Sequence, residues 1–414
     1  MNADTNNNRP MERESLVPWL ISQGYDQMRA RRTDITISRL IIGASTLARL
    51  KEKGSPTTKE IWIVISSSAA DTVNVVEPLR IEGVMMPDWI RFGEALSSVC
   101  PSKQGYIKLL LQGIQLGEEV TDMLRPSLKA APLIRLTLDN NALGRDGMKF
   151  AIDILKMNAT LERLFIYNNV IEHEFDAASL AHTVSNHPTV NVLHVTRCGL
   201  GQNPNVMAAL IPSLNHLMGI SLEGNSIGSH GVKLISSWLA SNPDIKFLNL
   251  RDNLLNDGDA HAISASLSKN TNLRKIYLAG NCITEEGILH AFHTSVFNLS
   301  SLNALHDSNH TCCMEFGEVV ASQRYFSRVN AFPCPQLNRK IKRYVALYGN
   351  NPCLHATPVK IMPRVLAQIQ GINIMDGVLH YNGLDAVFRI IRQWNMPRLF
   401  TSCIGSNRFQ SSEE

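Results

Sequence analysis

The sequence lacks several things that would each have pointed to a function. It contains no apolar run of about 18 residues, and the first fourteen residues are rich in Asn and Arg where a leader would be charged and then apolar. Neither membrane spanning nor secretion is therefore expected. Cysteine is sparse, eight residues in 414, with no C-x-x-C pair. That gives no sign of paired thiolate ligands, and it fits reduced thiols in the cytoplasm or nucleus best. There is no G-x-S-x-G, no P-loop and no H-E-x-x-H, so no activated nucleophile, phosphate cradle or zinc helix is announced. A non-enzymatic chain without cofactor or metal is the expectation. Three glycosylation-type triplets, at Asn158, Asn298 and Asn309, would matter only on export and are read as incidental.

What is present is apolar content for a large core, 44% of the chain, and a charge balance whose total of +4 conceals its placement. Residues 76–315 hold 18 basic and 23 acidic side chains, whereas residues 316–414 hold 12 and 5. The basic excess sits at the C-terminal end.

The chain is organised by a figure first seen in LIRLTLDNNALGRDG, Leu133 to Gly147. Leu133, Leu136 and Leu138 have the spacing of a short strand with one inward face; Asn141, Leu143 and Gly147 follow. The figure returns as Leu161, Leu164, Ile166, Asn169, Ile171, and as Leu217, Ile220, Leu222, Asn225, Ile227, Gly231. Unit starts fall at Val76, Tyr106, Leu133, Leu161, Val190, Leu217, Ile245, Leu273 and Leu302. A fixed period in this range signals a solenoid whose units each expose an apolar face until stacked. The strand leucines should line the interior. Asn141, Asn169, Asn225, Asn253 and Asn281 should satisfy backbone groups in the turn, a task Cys198 performs less well. Gly147, Gly231 and Gly287 should ease entry into a helix, and Asn158, Asn242 and Asn270 should end helices in left-handed turns.

The pattern LxxLxLxxNxLxxxG with a following amphipathic helix resembles the ribonuclease-inhibitor-like class of leucine-rich repeats, which has 28-residue units. The resemblance covers 76–315 and implies an α/β fold, a right-handed horseshoe with a parallel concave sheet and convex helices. It implies no activity, because ribonuclease inhibitors, Ran GTPase-activating proteins and immune sensors all belong to the class. Around the repeats, 1–14 reads as a disordered tail and 15–75 as an N-terminal cap with helices at 16–32 and 37–50 and a strand at 61–66. Residues 316–405 read as a helical C-terminal cap and 406–414 as a second tail.

Residues interleaved with the strand leucines should form the concave surface. One column reads Lys108, Arg135, Arg163, Val192, Gly219, Phe247, Lys275; the next reads Leu110, Thr137, Phe165, His194, Ser221, Asn249, Tyr277, His306; the third reads Gln112, Asp139, Tyr167, Thr196, Glu223, Arg251. Exposed Arg and aromatic side chains dominate interface hot spots. The candidate partner-binding set is Arg135, Arg163, Phe165, Tyr167, His194, Arg197, Phe247, Arg251 and Tyr277, offered to a protein partner by a scaffold module. The competing reading is that these neighbours merely cover one another. The alternative function is regulation of a small GTPase, against which the basic C-terminal block counts. Nucleic acid is not expected, since acidic residues interrupt the field. The basic helix at 339–343 reads as a solvated face, and His290, His293, His306 and His310 as surface and capping residues.

Overall fold

The computed structural model describes residues 15–53, 60–68, 77–81, 83–99, 105–296 and 308–316. The readings made for 1–14, 317–414, Val76, Asn298, Leu302 and His306 lie outside the described residues. The chain divides into two compact units, Met1–Trp238 with Pro243–Leu254, and Leu239–Asn242 with Leu255–Glu414.

The first unit begins with helices α1 (Val17–Ser22) and α2 (Gln27–Lys53). Their boundary differs from the sequence expectation of a break between 32 and 37. The break falls at Gly24, whose φ of 92° only glycine adopts easily, and Asp26 Oδ1 then accepts from Arg29 N at 2.9 Å. Nothing between Arg32 and Ile37 interrupts the backbone, so α2 runs on. Strand β1 (Glu60–Ser66), the two-residue β2 (Leu79–Arg80) and α3 (Met86–Ser97) follow. Trp89 and Phe92 of α3 are fully buried and meet edge to face at 6.2 Å, an arrangement that adds to their large apolar burial.

From there strand and helix alternate: β3 (Tyr106–Gln112), β4 (Ile114–Gln115), α4 (Glu118–Ala130), β5 (Leu133–Asp139), α5 (Gly144–Met157), β6 (Arg163–Tyr167), α6 (Glu174–Ser185), β7 (Val192–Thr196), α7 (Pro204–Leu210), β8 (Gly219–Ser221), α8 (Ser229–Ala240) and β9 (Phe247–Asn249). Strands β1, β3, β5, β6, β7, β8 and β9 lie side by side in that order, all parallel. Right-handed return through a helix is what parallel neighbours require. The stretch read as a cap thus supplies the sheet's first strand, while β2 pairs with β4 in a separate two-stranded sheet. The second unit carries α9 (Asp257–Leu267), β10 (Lys275–Tyr277), α10 (Glu285–Val296) and β11 (Cys313–Glu315), with β10 and β11 parallel.

Leu133, Leu136, Leu138, Leu161, Leu164 and Ile166 are fully buried, so the strand leucines point inward as their spacing requires. Each contributes roughly 1.5–3 kcal/mol. The turn asparagines form a ladder between units. Asn169 Oδ1 accepts from Asn141 N at 2.8 Å, and its amide nitrogen donates to Leu138 O at 3.1 Å; Asn225 Oδ1 accepts from Cys198 N at 2.7 Å, and its Nδ2 donates to Val195 O at 2.6 Å; Asn253 Oδ1 accepts from Asn225 N at 2.9 Å. Cys198 keeps the place with its thiol, 3.4 Å from Ile166 O.

Two expectations are corrected. Gly147 and Gly231 sit inside helices without positive φ; a Cβ there would lie 2.7 Å from the Leu143 and Ile227 side chains. Closeness of packing, and not backbone freedom, selects glycine. Of the three helix-ending asparagines, Asn242 alone is left-handed, at φ 58°. Asn158 is extended, at φ −104°, and its amide donates to Leu128 O at 2.7 Å and Ala131 O at 2.8 Å. Asn270 similarly donates to Leu239 O at 3.0 Å. These two serve as a second ladder behind the sheet.

Positive φ is concentrated elsewhere, in the residue before each ladder position: Gly113, Asn140, Asn168, Arg197, Gly224, Asp252 and Gly280, at 50–70°. Gly, Asn and Asp tolerate that region; arginine does so at a cost near 1 kcal/mol. Arg197→Asn is expected to stabilise the fold by about 0.5–1 kcal/mol, measured as a higher urea midpoint at unchanged slope.

Candidate functional site

The strand register assembles the outward-facing columns. Across the first unit Trp62, Lys108, Arg135, Arg163, Val192, Gly219 and Phe247 are successive partners, as are Val64, Leu110, Thr137, Phe165, His194, Ser221 and Asn249. Tyr277 stands on β10 in the second unit, where Lys275 Nζ lies 4.2 Å from its ring centroid and pairs with Glu315 at 3.0 Å. The site is therefore described from the first unit.

Its centre is a stack of charged and aromatic groups. The Arg135 guanidinium lies 4.0 Å from the Phe165 ring centroid on one side and 5.0 Å from that of Trp62 on the other, while Nε donates to Thr137 Oγ1 at 3.1 Å. Phe165 and His194 stack at 4.0 Å with 12° between planes, and Tyr167 Oη lies 3.0 Å from His194 Nδ1. Lys108 Nζ sits 4.9 Å from the Trp62 ring and is paired with Glu60. The ring faces carry partial negative charge, so cations settle on them in preference to edges.

This packing decides what each residue can offer. Phe165, read from the sequence as an exposed aromatic, is only 6% exposed, because Arg135 and His194 cover both its faces. Burial pushes the His194 imidazole down to about 4, with the Arg135 charge acting in the same direction, so it is neutral at neutral pH. Burial pushes the Tyr167 phenol up to about 12 against the opposing pull of Arg135. These four groups are occupied with one another and form a rigid ridge.

The surrounding residues are less committed. Arg163 is half-buried and Arg197 exposed, and neither has an ion pair among the described residues. Phe247 is 47% exposed and Met218 49%. Between Val192 and Phe247 the column holds Gly219, which is itself buried, with the Val192 side chain 3.5 Å from where its Cβ would lie. Arg251 is half-buried at the far edge, on the same rim as Glu223, which accepts from Asn249 Nδ2 at 2.7 Å. Among the described residues Asp139 likewise accepts from neutral amides, those of Gln112 and Asn168, at 2.8 and 2.7 Å. Trp62, Val64 and Met218 were missed by the column reading. The first two lie outside the period, and Met218 precedes a strand position. An alternating EIWIVIS with an aromatic on the outward parity was the available signal for Trp62.

Strand, asparagine turn and returning helix repeat in register. The fold is that of a leucine-rich-repeat protein. No family model and no curated protein sequence matches the chain. Among solved structures it is similar to a tropomodulin C-terminal domain from Caenorhabditis elegans, with 11% identity over 42% of this chain and 97% of that one and a TM-score of 0.30. It is also similar to the leucine-rich repeat-containing protein LegL7 from Legionella pneumophila, with 16% identity over 53% of this chain and 80% of that one and a TM-score of 0.36. The leucine-rich-repeat assignment rests on the register and the asparagine ladder.

Among the described residues no helix is long and apolar enough to cross a membrane, and no three His, Cys, Asp or Glu side chains are placed to hold a metal ion. His290 is exposed, 3.5 Å from Glu286.

Proposed function

We propose that the chain is a non-enzymatic binding or scaffold module whose outward sheet face in the first unit takes a protein partner. The observation that carries this is the division of labour on that face. Arg135, Phe165, Tyr167 and His194 hold one another in place, while Arg163, Arg197, Trp62, Met218 and Phe247 remain open around them. A preformed ridge lowers the entropy lost on binding, and open Arg and aromatic groups beside it supply the contacts. The arrangement favours a partner that presents a carboxylate to Arg163 and an apolar side chain to the exposed Phe247 ring.

A partner captured from native lysate and then purified should lose at least about 100-fold in affinity towards the Arg163→Ala, Phe247→Ala double variant. Lys233→Glu, on the exposed side of α8, should bind as the wild type does. Equal affinity of the double variant and the wild type would show that the partner docks elsewhere. Arg197→Asn belongs in the same titration: it should bind more weakly while unfolding at higher urea, because the strained backbone is kept for the side chain.

A further inference from the structure

The first strand of the sheet has an open side. Ser67 N donates to Gln112 O, which fixes the parity of β1: the main-chain groups of Ile61, Ile63 and Ile65 face β3, and those of Glu60, Trp62, Val64 and Ser66 face away. No strand lies on that side among the described residues, and none of these four has a further main-chain partner. Exposed edges are ordinarily guarded by lysine, proline, a bulge or shortness. Glu60–Ser66 is seven residues long, contains neither Lys nor Pro, and pairs with β3 without a register shift. Trp62 is 53% exposed and Val64 42%.

The geometry points to a second copy of this chain as the occupant, joined antiparallel through β1 about a two-fold axis at Ile63. In that register Glu60 faces Ser66 of the second copy, Trp62 faces Val64, and Ile63 faces Ile63. Every outward N–H and C=O then finds its counterpart, since the outward-facing residues are the ones placed in hydrogen-bonded pairs. An exposed aromatic meets an exposed β-branched side chain on the same sheet face, a favourable cross-strand pair. The charges agree with it: Glu60, the only charged residue of the strand, meets a serine, and its own counter-ion Lys108 comes from within the chain. The contact is self-complementary and closes at two copies.

Sedimentation equilibrium of the full chain should show a mass rising with concentration from 46.0 kDa towards twice that value. Val64→Pro removes an outward N–H and leaves the bonds to β3 untouched, so the monomer should keep its circular dichroism and its urea midpoint. Its dimer dissociation constant should rise on the order of 100-fold. A second variant fixes the register: Trp62→Cys with Val64→Cys, oxidised as a mixture of isotopically light and heavy chains, should yield a linkage between position 62 of one chain and 64 of the other. Paired Cα atoms about 5.5 Å apart are within disulfide reach. A wild type that stays monomeric, a proline variant that dimerises normally, linkage between other positions, or an edge that takes up an extended segment of a different protein would each overturn the proposal.

Discussion

Asn225→Ala is expected to lower the unfolding free energy by about 3–4 kcal/mol in urea denaturation. The side chain is fully buried and works in both directions. Its oxygen accepts from Cys198 N at 2.7 Å and from Leu200 N at 3.4 Å; its nitrogen donates to Val195 O at 2.6 Å and Glu223 O at 3.3 Å. Alanine leaves at least one main-chain donor and one acceptor without partners in a dry interior, and each orphan costs about 1–3 kcal/mol. The ladder contains its own control. Asn141 is equally buried, yet among the described residues its amide donates only to Ile114 O and its Oδ1 has no partner. Asn141→Ala should therefore cost roughly half as much. Equal losses at the two positions would mean that volume, and not hydrogen bonding, sets the ladder's contribution.

Stability is expected to fall between pH 6.5 and pH 4, and His194 to account for much of the fall. Above 6.5 the imidazole is neutral in both states and adds no pH dependence. As the pH drops below 6.5 the unfolded chain binds a proton that the folded chain, with His194 held down to about 4, does not bind. Unfolding is then favoured, and the loss is complete once the pH passes below 4. The full effect is on the order of 3 kcal/mol. His187 adds in the same direction: burial lowers it, and both of its nitrogens are engaged, Nε2 with Asn158 O at 3.0 Å and Nδ1 with Val190 N at 3.1 Å. Urea titrations of wild type and His194→Gln at pH 7 and 4.5 check this. The variant should be flatter, and identical slopes would remove His194 from the account.

Period alone was enough to place the strands' inner and outer residues, because a two-residue alternation leaves one choice of face once the leucines are buried. The observed partners Arg135, Arg163 and Val192, or Thr137, Phe165 and His194, follow from that. What period could not show is how outward side chains use one another. Whether Phe165 is bare or covered depends on the reach of Arg135 and His194 across neighbouring strands, which no single unit specifies. Nor could it show where the sheet starts. Glu60 and its ion-pair partner Lys108 are 48 residues apart, too far for a 28-residue rhythm, so the outward Trp62 was assigned to a cap. The Gly147 reading failed for a related reason. Sequence shows that a side chain is absent without showing whether dihedral angle or space demanded it.

The second ladder bears on the history of the chain before it folds. Asn158 and Asn309 each begin an acceptor triplet for N-linked sugar, and each donates its side-chain amide to two carbonyls, Asn309 to Leu267 O and Asn270 O at 2.8 and 2.7 Å. A glycan is attached through that same nitrogen and needs open solvent around it. At these two positions glycosylation and folding are mutually exclusive, so a chain made where oligosaccharyltransferase meets it unfolded risks being diverted from its native state.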